Sequence, residues 1–175
     1  RKDMGGPYDH HVLHSLAIAG YLRQLGRGYA ADERHSVLDL GTGGGFPGIP
    51  LAIMYPGWEF VLCDSVGKKT IVAEAVAKSL GLDNVKVVNA RAETLDATFD
   101  FVVSRAVTSL ENFYPWVRDK YKDSIFYLKG GDVNEEISTL LRKFKLKPSS
   151  VHTMRLDSYI ADDYFAEKFV IHIEK

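Results

Sequence analysis

The sequence predicts an α/β fold whose sheet is doubly wound, mostly parallel, and ends in an antiparallel hairpin. Two observations predict the parallel part. Short apolar runs typical of buried strands alternate with stretches of helical periodicity, and a glycine-rich segment, Gly41–Gly45, joins the first such strand to a helix. A third observation predicts the hairpin, since no helix clearly separates the last two strands. Strands joined through helices pair in parallel, whereas strands joined directly pair antiparallel.

The first half of the chain contributes an N-terminal helix and three strands. Apolar residues at helical spacing predict a helix over residues 9–25, and Gly26 follows as its stop. Strands and helices then alternate: a strand over 36–40, a helix from Pro47 through about Tyr55, a strand over 59–64, a helix capped by Ser65 and ended by Gly81, and a strand over 85–89. For the helix that ends at Gly81 we expect a buried face of Ile71, Val72, Ala75, Val76 and Leu80.

The second half continues the alternation and then departs from it. Its predicted elements are a strand over 99–104, a helix over 110–121 that contains Pro115, a strand over 124–128, a helix over 133–144, and closing strands over 151–156 and 169–173. A doubly wound sheet that ends in such a hairpin is the layout of the Rossmann-like, class I methyltransferases. The length suits a single domain over 1–175, with the helix over 9–25 packed on its core.

Composition narrows the functional classes. The single cysteine, Cys63, excludes a disulfide framework and a multi-cysteine zinc site, and it is typical of the reducing cytoplasm. No apolar run is long enough for a transmembrane helix and no signal peptide is evident, so we expect no membrane association. The net charge of -1 gives no sign of a nucleic-acid partner, but it combines an acidic segment over 31–64 with a basic segment over 118–147.

The glycine-rich loop after the first predicted strand is the main candidate for ligand binding. Gly41 and Gly43 permit positive φ angles and let a ligand approach the backbone. Loops of this kind also bind dinucleotides, which leaves that alternative open. Asp39, just before the loop, would repel a pyrophosphate but favours the cationic S-adenosylmethionine (AdoMet), unless it only caps the loop. Asp64, which ends the next strand, is placed to accept hydrogen bonds from ribose hydroxyls, or is simply a turn residue.

Three further strand ends add candidates. Ala92 and Glu93 follow the third strand, where a backbone N–H and C=O could bind the edge of an adenine ring. Arg105 ends the fourth strand, and its guanidinium suits the carboxylate of AdoMet or a substrate phosphate, the alternative being a salt bridge with a helix acid. Lys129 ends the fifth strand and could reach a substrate phosphate or remain solvated.

The segment after the fourth strand narrows the type of reaction. Residues 103–107 lack the Asn/Asp-Pro-Pro-aromatic loop of methyltransferases that act on exocyclic amines. Cys63 lies inside a strand, so we do not expect it to be the nucleophile that methylation at a pyrimidine C5 requires. What remains includes a target with a free lone pair, such as a ring nitrogen. For such a target alignment suffices, and we expect no essential general base.

Histidines and lysines supply the remaining candidates. His10 and His14 have the i,i+4 spacing of a helical zinc pair, but no Cys or acidic motif completes a site, and we predict no metal. His11 is a candidate substrate contact, unless it has a packing or surface role. Lys143 belongs to a basic cluster over 142–147, which is either one edge of an RNA-facing surface or a solvated helix end.

Together these motifs resemble the RsmG family, also called GidB. The most specific stretch is Val37–Ala52, in which Phe46-Pro47-Gly48-Ile49-Pro50 follows the glycines. Further matches occur in the same order along the chain: Asp64-Ser65 with Lys68-Lys69, Arg91-Ala92-Glu93, Ser104-Arg105-Ala106 and Tyr127-Leu128-Lys129-Gly130. The family pattern Arg-His-x-Leu-Asp-Ser of the N-terminal helix is matched at His11 and Ser15 and not at His10 and His14.

The resemblance implies a reaction, a cofactor and a partner. The expected activity is methyl transfer from AdoMet to N7 of a guanine, at position 527, in bacterial 16S ribosomal RNA. The family's AdoMet contacts carry over to Gly41, Phe46, Ala92, Glu93 and Arg105. We expect a cytoplasmic monomer that acts on small-subunit rRNA or a 30S particle, and a native N-terminal helical segment that this chain lacks. A small-molecule AdoMet methyltransferase and a non-catalytic nucleotide-binding module remain alternatives.

Overall fold

The computed structural model describes residues 6–27 and 29–175, so the first five residues of the predicted domain lie outside the described residues. Its helices are α1 Pro7–Leu25, α2 Gly48–Met54, α3 Gly67–Ser79, α4 Leu110–Val117 and α5 Asn134–Phe144. Its strands are β1 Ser36–Leu40, β2 Glu59–Asp64, β3 Val85–Asn89, β4 Phe99–Arg105, β5 Tyr121–Gly130, β6 Val151–Arg155 and β7 Lys168–Glu174. Short 3-10 turns lie at Ala92–Thr94, Pro148–Ser150, Leu156–Ser158 and Asp163–Phe165.

The strands form one sheet in the order β3-β2-β1-β4-β5-β7-β6. Strands β1 to β5 are parallel, and β7 and β6 add an antiparallel pair, with Lys129 opposite Phe169 and Val151 opposite Ile173. The predicted α/β fold, a doubly wound sheet that ends in an antiparallel hairpin, is therefore confirmed. The strand order reverses between β1 and β4, and such a switch point opens a crevice at the carboxyl ends of the strands.

Alternating side chains of the strands pack against helices on both faces of the sheet. One face carries a cluster with α1 and α2 that includes the buried Ile18, Trp58 and Phe101. The other face carries α4 and α5, where Phe113 and Leu140 are fully buried. Because both faces of the central strands are covered, a slip of one residue in one of these strands would turn its side chains toward the wrong layer of helices. The strand ends, and the loops that leave them, are thereby held in place.

The buried face of α3 differs from the prediction. The side chains that face the sheet are Thr70, Ala73 and Ala77. Ile71 and Val72, which were expected in the core, are 67% and 51% exposed, and Leu80 is also exposed. Small residues spaced i, i+3 and i+7 let the helix approach the sheet closely. Of the other predicted residues, Val76 is partly buried against the core, and Ala75 is exposed. The residue that caps this helix is Val66 rather than the predicted Ser65, and the helix begins at Gly67.

Helix lengths differ modestly from the prediction. α4 ends at Val117, earlier than expected, because β5 already begins at Tyr121, which is buried and pairs with Phe99 of β4. α1 begins at Pro7, two residues before the predicted start at residue 9. Within residues 6–27 and 29–175, no helix is both long and apolar enough to cross a membrane.

Candidate functional site

A cavity of about 620 Å³ opens at the carboxyl edge of the sheet, at the switch point between β1 and β4. The ends of β1 to β4 and the loops that follow them form its wall. All seven residues predicted to bind the cofactor line this cavity: Gly41, Gly43, Phe46, Asp64, Ala92, Glu93 and Arg105. The fold therefore brings together motifs that are spread over four strand ends.

The loop after β1 is anchored from two sides. Gly41 and Gly43 have positive φ angles of 74° and 57°, which residues with a Cβ rarely adopt. The N–H groups of Gly41 and Thr42 donate to the carbonyl of Cys63 in β2, at 2.8 and 3.1 Å. A Cβ on Gly41 would lie 2.2 Å from Cγ1 of Val107. Glycine is therefore required at position 41 both by its backbone conformation and by its contact with the loop after β4.

Asp39 secures the same loop from within the core. Its side chain is buried, and Oδ2 accepts hydrogen bonds from Oγ1 of Thr42 at 2.6 Å and from the N–H of Gly48 at 2.7 Å. Oδ1 has no hydrogen-bond partner among the described residues. Burial raises the pKa of this carboxyl group to about 7. Asp39 lies behind the cavity wall, so the geometry supports its interpretation as a cap of the loop.

Asp64 lies in the wall with its carboxylate fixed by backbone groups. Oδ2 accepts from the N–H of Gly43 and Oδ1 from the N–H of Val66, each at 2.9 Å. Nδ2 of Asn89 donates to the backbone carbonyl of Asp64, which ties the ends of β2 and β3 together. Each carboxylate oxygen has a second lone pair, so this fixed group can still accept hydrogen bonds from a ligand's hydroxyl groups.

The turn after β3 supplies another part of the wall. Ala92 is buried and Glu93 is exposed within the 3-10 turn. α4 packs on this turn and contributes Trp116 to the wall. A small side chain together with an indole ring suits a flat aromatic group. Trp116 was not predicted, because no motif marks it and only tertiary packing brings it to the cavity. Val66 and Lys69 also line the cavity, and although Lys69 belongs to one of the family motifs, no site role was predicted for it.

Arg105 connects the cavity wall to the first helix. Its Nη1 donates to Nδ1 of His11 across 3.0 Å, and its Cζ lies 5.3 Å from the centre of the Phe46 ring. Because an arginine only donates, Nδ1 of His11 is the acceptor and the ring proton is on Nε2. Burial and the charge of Arg105 lower the pKa of His11, so this histidine is neutral at pH 7.

The positive charge of Arg105 is not neutralised by a salt bridge. Among the described residues, no carboxylate lies within ion-pairing distance of its guanidinium. The alternative interpretation of Arg105, a salt bridge with a helix acid, is therefore wrong for the described residues. A cation in a cavity wall with a neutral histidine as its neighbour is well suited to bind an anionic group of a ligand.

Lys129 and Lys143, predicted as substrate contacts, lie outside the cavity wall. The ammonium group of Lys129 is 3.0 Å from the carbonyl oxygen of Thr108 and 2.8 Å from Oε1 of Glu136. Lys143, near the end of α5, pairs with Glu111 of α4 at 3.2 Å. From α5 the chain continues to β6, the outer strand of the hairpin. Both lysines thus contact protein groups, and their roles toward a substrate stay predictions.

The histidines of α1 that invited a zinc hypothesis have separate surroundings. Nε2 of His10 lies 3.1 Å from Oδ2 of Asp162, and its ring stacks on Tyr164. His14 is buried against Phe165, and burial lowers its pKa to about 3. Each histidine therefore contacts its own set of residues in the segment before β7.

One group of three possible metal ligands occurs among the described residues: His152, His172 and Glu174. Both ring nitrogens of His172 are already hydrogen-bonded, Nδ1 to the hydroxyl of Tyr21 at 3.1 Å and Nε2 to Oγ of Ser124 at 2.8 Å. The buried member of the group thus has no free nitrogen, and the three residues belong to a polar network between α1 and the hairpin.

Comparison of the sequence with known families gives a match over nearly the whole chain. The family model GidB, described as rRNA small subunit methyltransferase G, matches residues 2–158. Proteins named ribosomal RNA small subunit methyltransferase G from Flavobacterium psychrophilum and Bacteroides fragilis are 43% and 42% identical to this chain. Both alignments cover 99% of the chain, and they cover 79% and 81% of the two relatives.

Solved methyltransferase structures share the fold at low sequence identity. Magnesium protoporphyrin IX methyltransferase (ChlM) from Synechocystis PCC 6803, solved with bound SAM, superposes with a TM-score of 0.70 at 15% identity, over 94% of this chain and 79% of that one. The ribosomal protein L11 methylase from Lactobacillus delbrueckii subsp. bulgaricus gives 0.68 at 15% identity, over 98% and 81%. At these identities the similarity shows a shared class I methyltransferase fold.

Proposed function

Because this chain belongs to the rRNA small subunit methyltransferase G family, we propose that it methylates N7 of a guanine, at position 527, in 16S ribosomal RNA, with AdoMet as the methyl donor. The family predicted from the sequence motifs is thereby confirmed. The observation that carries the proposal is the convergence of the Gly41 loop, Asp64 and Arg105 on one cavity at the switch point of a class I methyltransferase fold.

The cavity fits AdoMet in size and chemistry. Its volume of about 620 Å³ is within the usual range for small-molecule sites. AdoMet combines a cationic sulfur with a carboxylate, two ribose hydroxyls and a flat adenine ring. Its contacts are assigned by complementarity: the backbone of Gly41 and Gly43 and the ring of Phe46 to the methionine part, Asp64 to the ribose hydroxyls, Ala92 and Glu93 to the adenine edge, and Arg105 to the carboxylate.

The reaction asks little acid–base chemistry of the protein. Bound AdoMet supplies a methyl group on a positively charged sulfur. N7 of guanine carries a free lone pair at neutral pH, so no residue has to remove a proton before transfer. The residues of this chain therefore act by positioning: Arg105, held by His11 and Phe46, and the fixed carboxylate of Asp64 orient the donor against the incoming base.

His11 is the residue on the cofactor side best suited to meet the substrate. With Nδ1 occupied by Arg105, it presents Nε2–H as a hydrogen-bond donor. O6 of guanine and phosphate oxygens are acceptors for such a donor. Lys143 and the basic segment over 142–147 would contact RNA outside the cofactor cavity, because they are not part of its wall.

The substrate is best described as small-subunit rRNA within a 30S particle. The net charge of -1 leaves little electrostatic attraction to bare RNA, so the shape of an assembled particle would supply specificity. Within this proposal, residues 1–175 form one domain that acts as a monomer, and the ribosomal substrate places the protein in the cytoplasm.

Transfer of a labelled methyl group tests the proposal. Labelled AdoMet would be supplied with small ribosomal subunits that lack the modification, and in parallel with a panel of metabolites. We expect label in the rRNA alone. Label in a metabolite and not in the subunits would instead identify a small-molecule methyltransferase. Calorimetry with AdoMet and with NAD addresses the second alternative, a non-catalytic nucleotide-binding module, since binding of NAD without binding of AdoMet would contradict the proposal.

A further inference from the structure

The loop between β4 and α4, residues 106–109, is held at one residue by two side chains of β5. The hydroxyl of Tyr127 donates to the carbonyl oxygen of Thr108 at 2.7 Å and accepts from the N–H of the same residue at 3.1 Å. The ammonium group of Lys129 donates to that carbonyl oxygen as well, at 3.0 Å. Both backbone polar groups of Thr108 are thus satisfied by side chains.

Glu136 of α5 completes the arrangement. Oε1 is 2.8 Å from the ammonium group of Lys129, and Oε2 accepts from the N–H of Leu110 at 3.0 Å, where α4 begins. The ion pair is well shielded, with 16% of the Lys129 side chain and 27% of the Glu136 side chain exposed. A carboxylate at the start of a helix is also favoured by the helix dipole. We call Tyr127, Lys129 and Glu136 the loop clamp.

The loop needs such support because its own backbone conformation is unfavourable. Ala106 has a positive φ angle of 45°, which costs a residue with a Cβ on the order of 1 kcal/mol or more. The next residue, Val107, lines the cavity and packs against Gly41, where an added Cβ would lie 2.2 Å from its Cγ1. The loop clamp holds Thr108 and thereby fixes the neighbouring Val107, against which the Gly41 loop packs.

We propose that Lys129 and Glu136 are positioning residues that hold the β4–α4 loop, and through Val107 the Gly41 loop, in the conformation that binds AdoMet. Lys129 then acts on the protein itself and not on a substrate phosphate. The inference rests on the proposed function only in that AdoMet is the ligand, and it needs no assumption about the methyl acceptor.

Two substitutions separate positioning from phosphate binding. Lys129→Met removes the cation with little change of shape, and Glu136→Gln removes its partner. Calorimetry with AdoMet and thermal unfolding would be measured for both variants and for the double variant. We expect each single variant to bind AdoMet about tenfold more weakly, as loss of a charge-assisted hydrogen bond allows. The double variant should bind AdoMet about tenfold more weakly as well, and no worse, because both substitutions break the same ion pair between Lys129 and Glu136.

A control ion pair lies on another helix. Lys78→Met breaks the ion pair of Lys78 with Glu74 on the surface of α3, where the two side chains are 75% and 55% exposed. This variant should bind AdoMet as the unmodified protein does. Lys129→Arg, which keeps a cationic donor, should bind AdoMet more tightly than Lys129→Met, and this rescue covers the case in which Lys129→Met folds poorly.

Three results would overturn the proposal. Unchanged AdoMet affinity in Lys129→Met, with weakened binding of 30S subunits that Glu136→Gln does not share, would make Lys129 a phosphate ligand. A lower melting temperature without a change in AdoMet affinity would make the clamp purely structural. Failure of the unmodified protein to bind AdoMet would end both proposals, whereas AdoMet binding without methylation of rRNA would end the proposed function and leave the clamp standing.

Discussion

Nη1 of Arg105 lies 3.0 Å from Nδ1 of His11, and this hydrogen bond joins the first helix to the wall of the cofactor cavity. The hydrogen bond fixes the tautomer of the histidine, and the guanidinium lies over the ring of Phe46. Among the described residues, no carboxylate pairs with Arg105. The arrangement makes Arg105 a prepared site for an anion at the edge of the sheet.

Replacement of this arginine tests its role. Arg105→Ala should weaken AdoMet binding at least tenfold, because the carboxylate of AdoMet would lose its charged partner. Calorimetry measures the affinity, and Arg118→Ala, which removes an exposed arginine that pairs with Asp119, serves as the control. The assignment would be wrong if Arg105→Ala kept full AdoMet affinity and yet lost all turnover.

Glycine is required at position 41 for two reasons that can be measured separately. Gly81→Ala changes an open site with a φ angle of 65° and should cost about 1 kcal/mol of unfolding free energy in urea. Gly41→Ala adds a clash with Val107 and should cost about 1–3 kcal/mol more. Adding Val107→Ala should recover part of that difference. Equal costs for the two alanine variants would show that the contact with Val107 is unimportant.

The carboxyl group of Asp39 should make stability fall as pH rises. Its pKa is about 7 in the folded protein and near 3.8 when unfolded, so the folded state favours the protonated form. The stabilisation is complete below about pH 4 and is lost as pH rises through 7. Asp39→Asn removes this titration, so the variant should gain stability relative to the unmodified protein between pH 4 and pH 8. Melting temperatures that run parallel across this range would refute the raised pKa.

His14 should have the opposite effect on the acid side. Its pKa is lowered to about 3 by burial, so the folded state favours the neutral ring. That stability is complete above pH 6.5 and is lost as pH falls toward 3. His14→Leu breaks no hydrogen bond of Nε2, which has no partner among the described residues. Between pH 7 and pH 5, the free energy of unfolding of this variant should fall by about 2 kcal/mol less than that of the unmodified protein. His152→Leu, at an exposed histidine, is the control, and an equal acid response of the two variants would contradict the prediction.

The mostly parallel sheet, the hairpin and the seven cofactor-binding candidates that line the cavity were predictable because their signals are local. Residues at the carboxyl ends of parallel strands must meet, so Gly41, Asp64 and Arg105 converge once the strands are identified. Trp116 and the clamp depend instead on how α4 and α5 pack on the sheet, and no motif records that packing.

One error has a physical reason of the same kind. Ile71 and Val72 were assigned to the core by their hydrophobicity, but α3 approaches the sheet on its small residues and leaves these side chains exposed. The contacts of Lys129 with Thr108 and Glu136 were also not predictable, because these residues come close only in the folded chain. The predicted role of Lys129 toward a substrate stays a prediction.

The proposed methylation of 16S rRNA is tested by locating the transferred methyl group. Small ribosomal subunits that lack the modification would be incubated with the protein and AdoMet, and the 16S rRNA would then be digested and analysed by mass spectrometry. We expect one added methyl group, on N7 of the guanine at position 527. A methyl group on another atom or base, or unmodified rRNA from a protein that binds AdoMet, would contradict it.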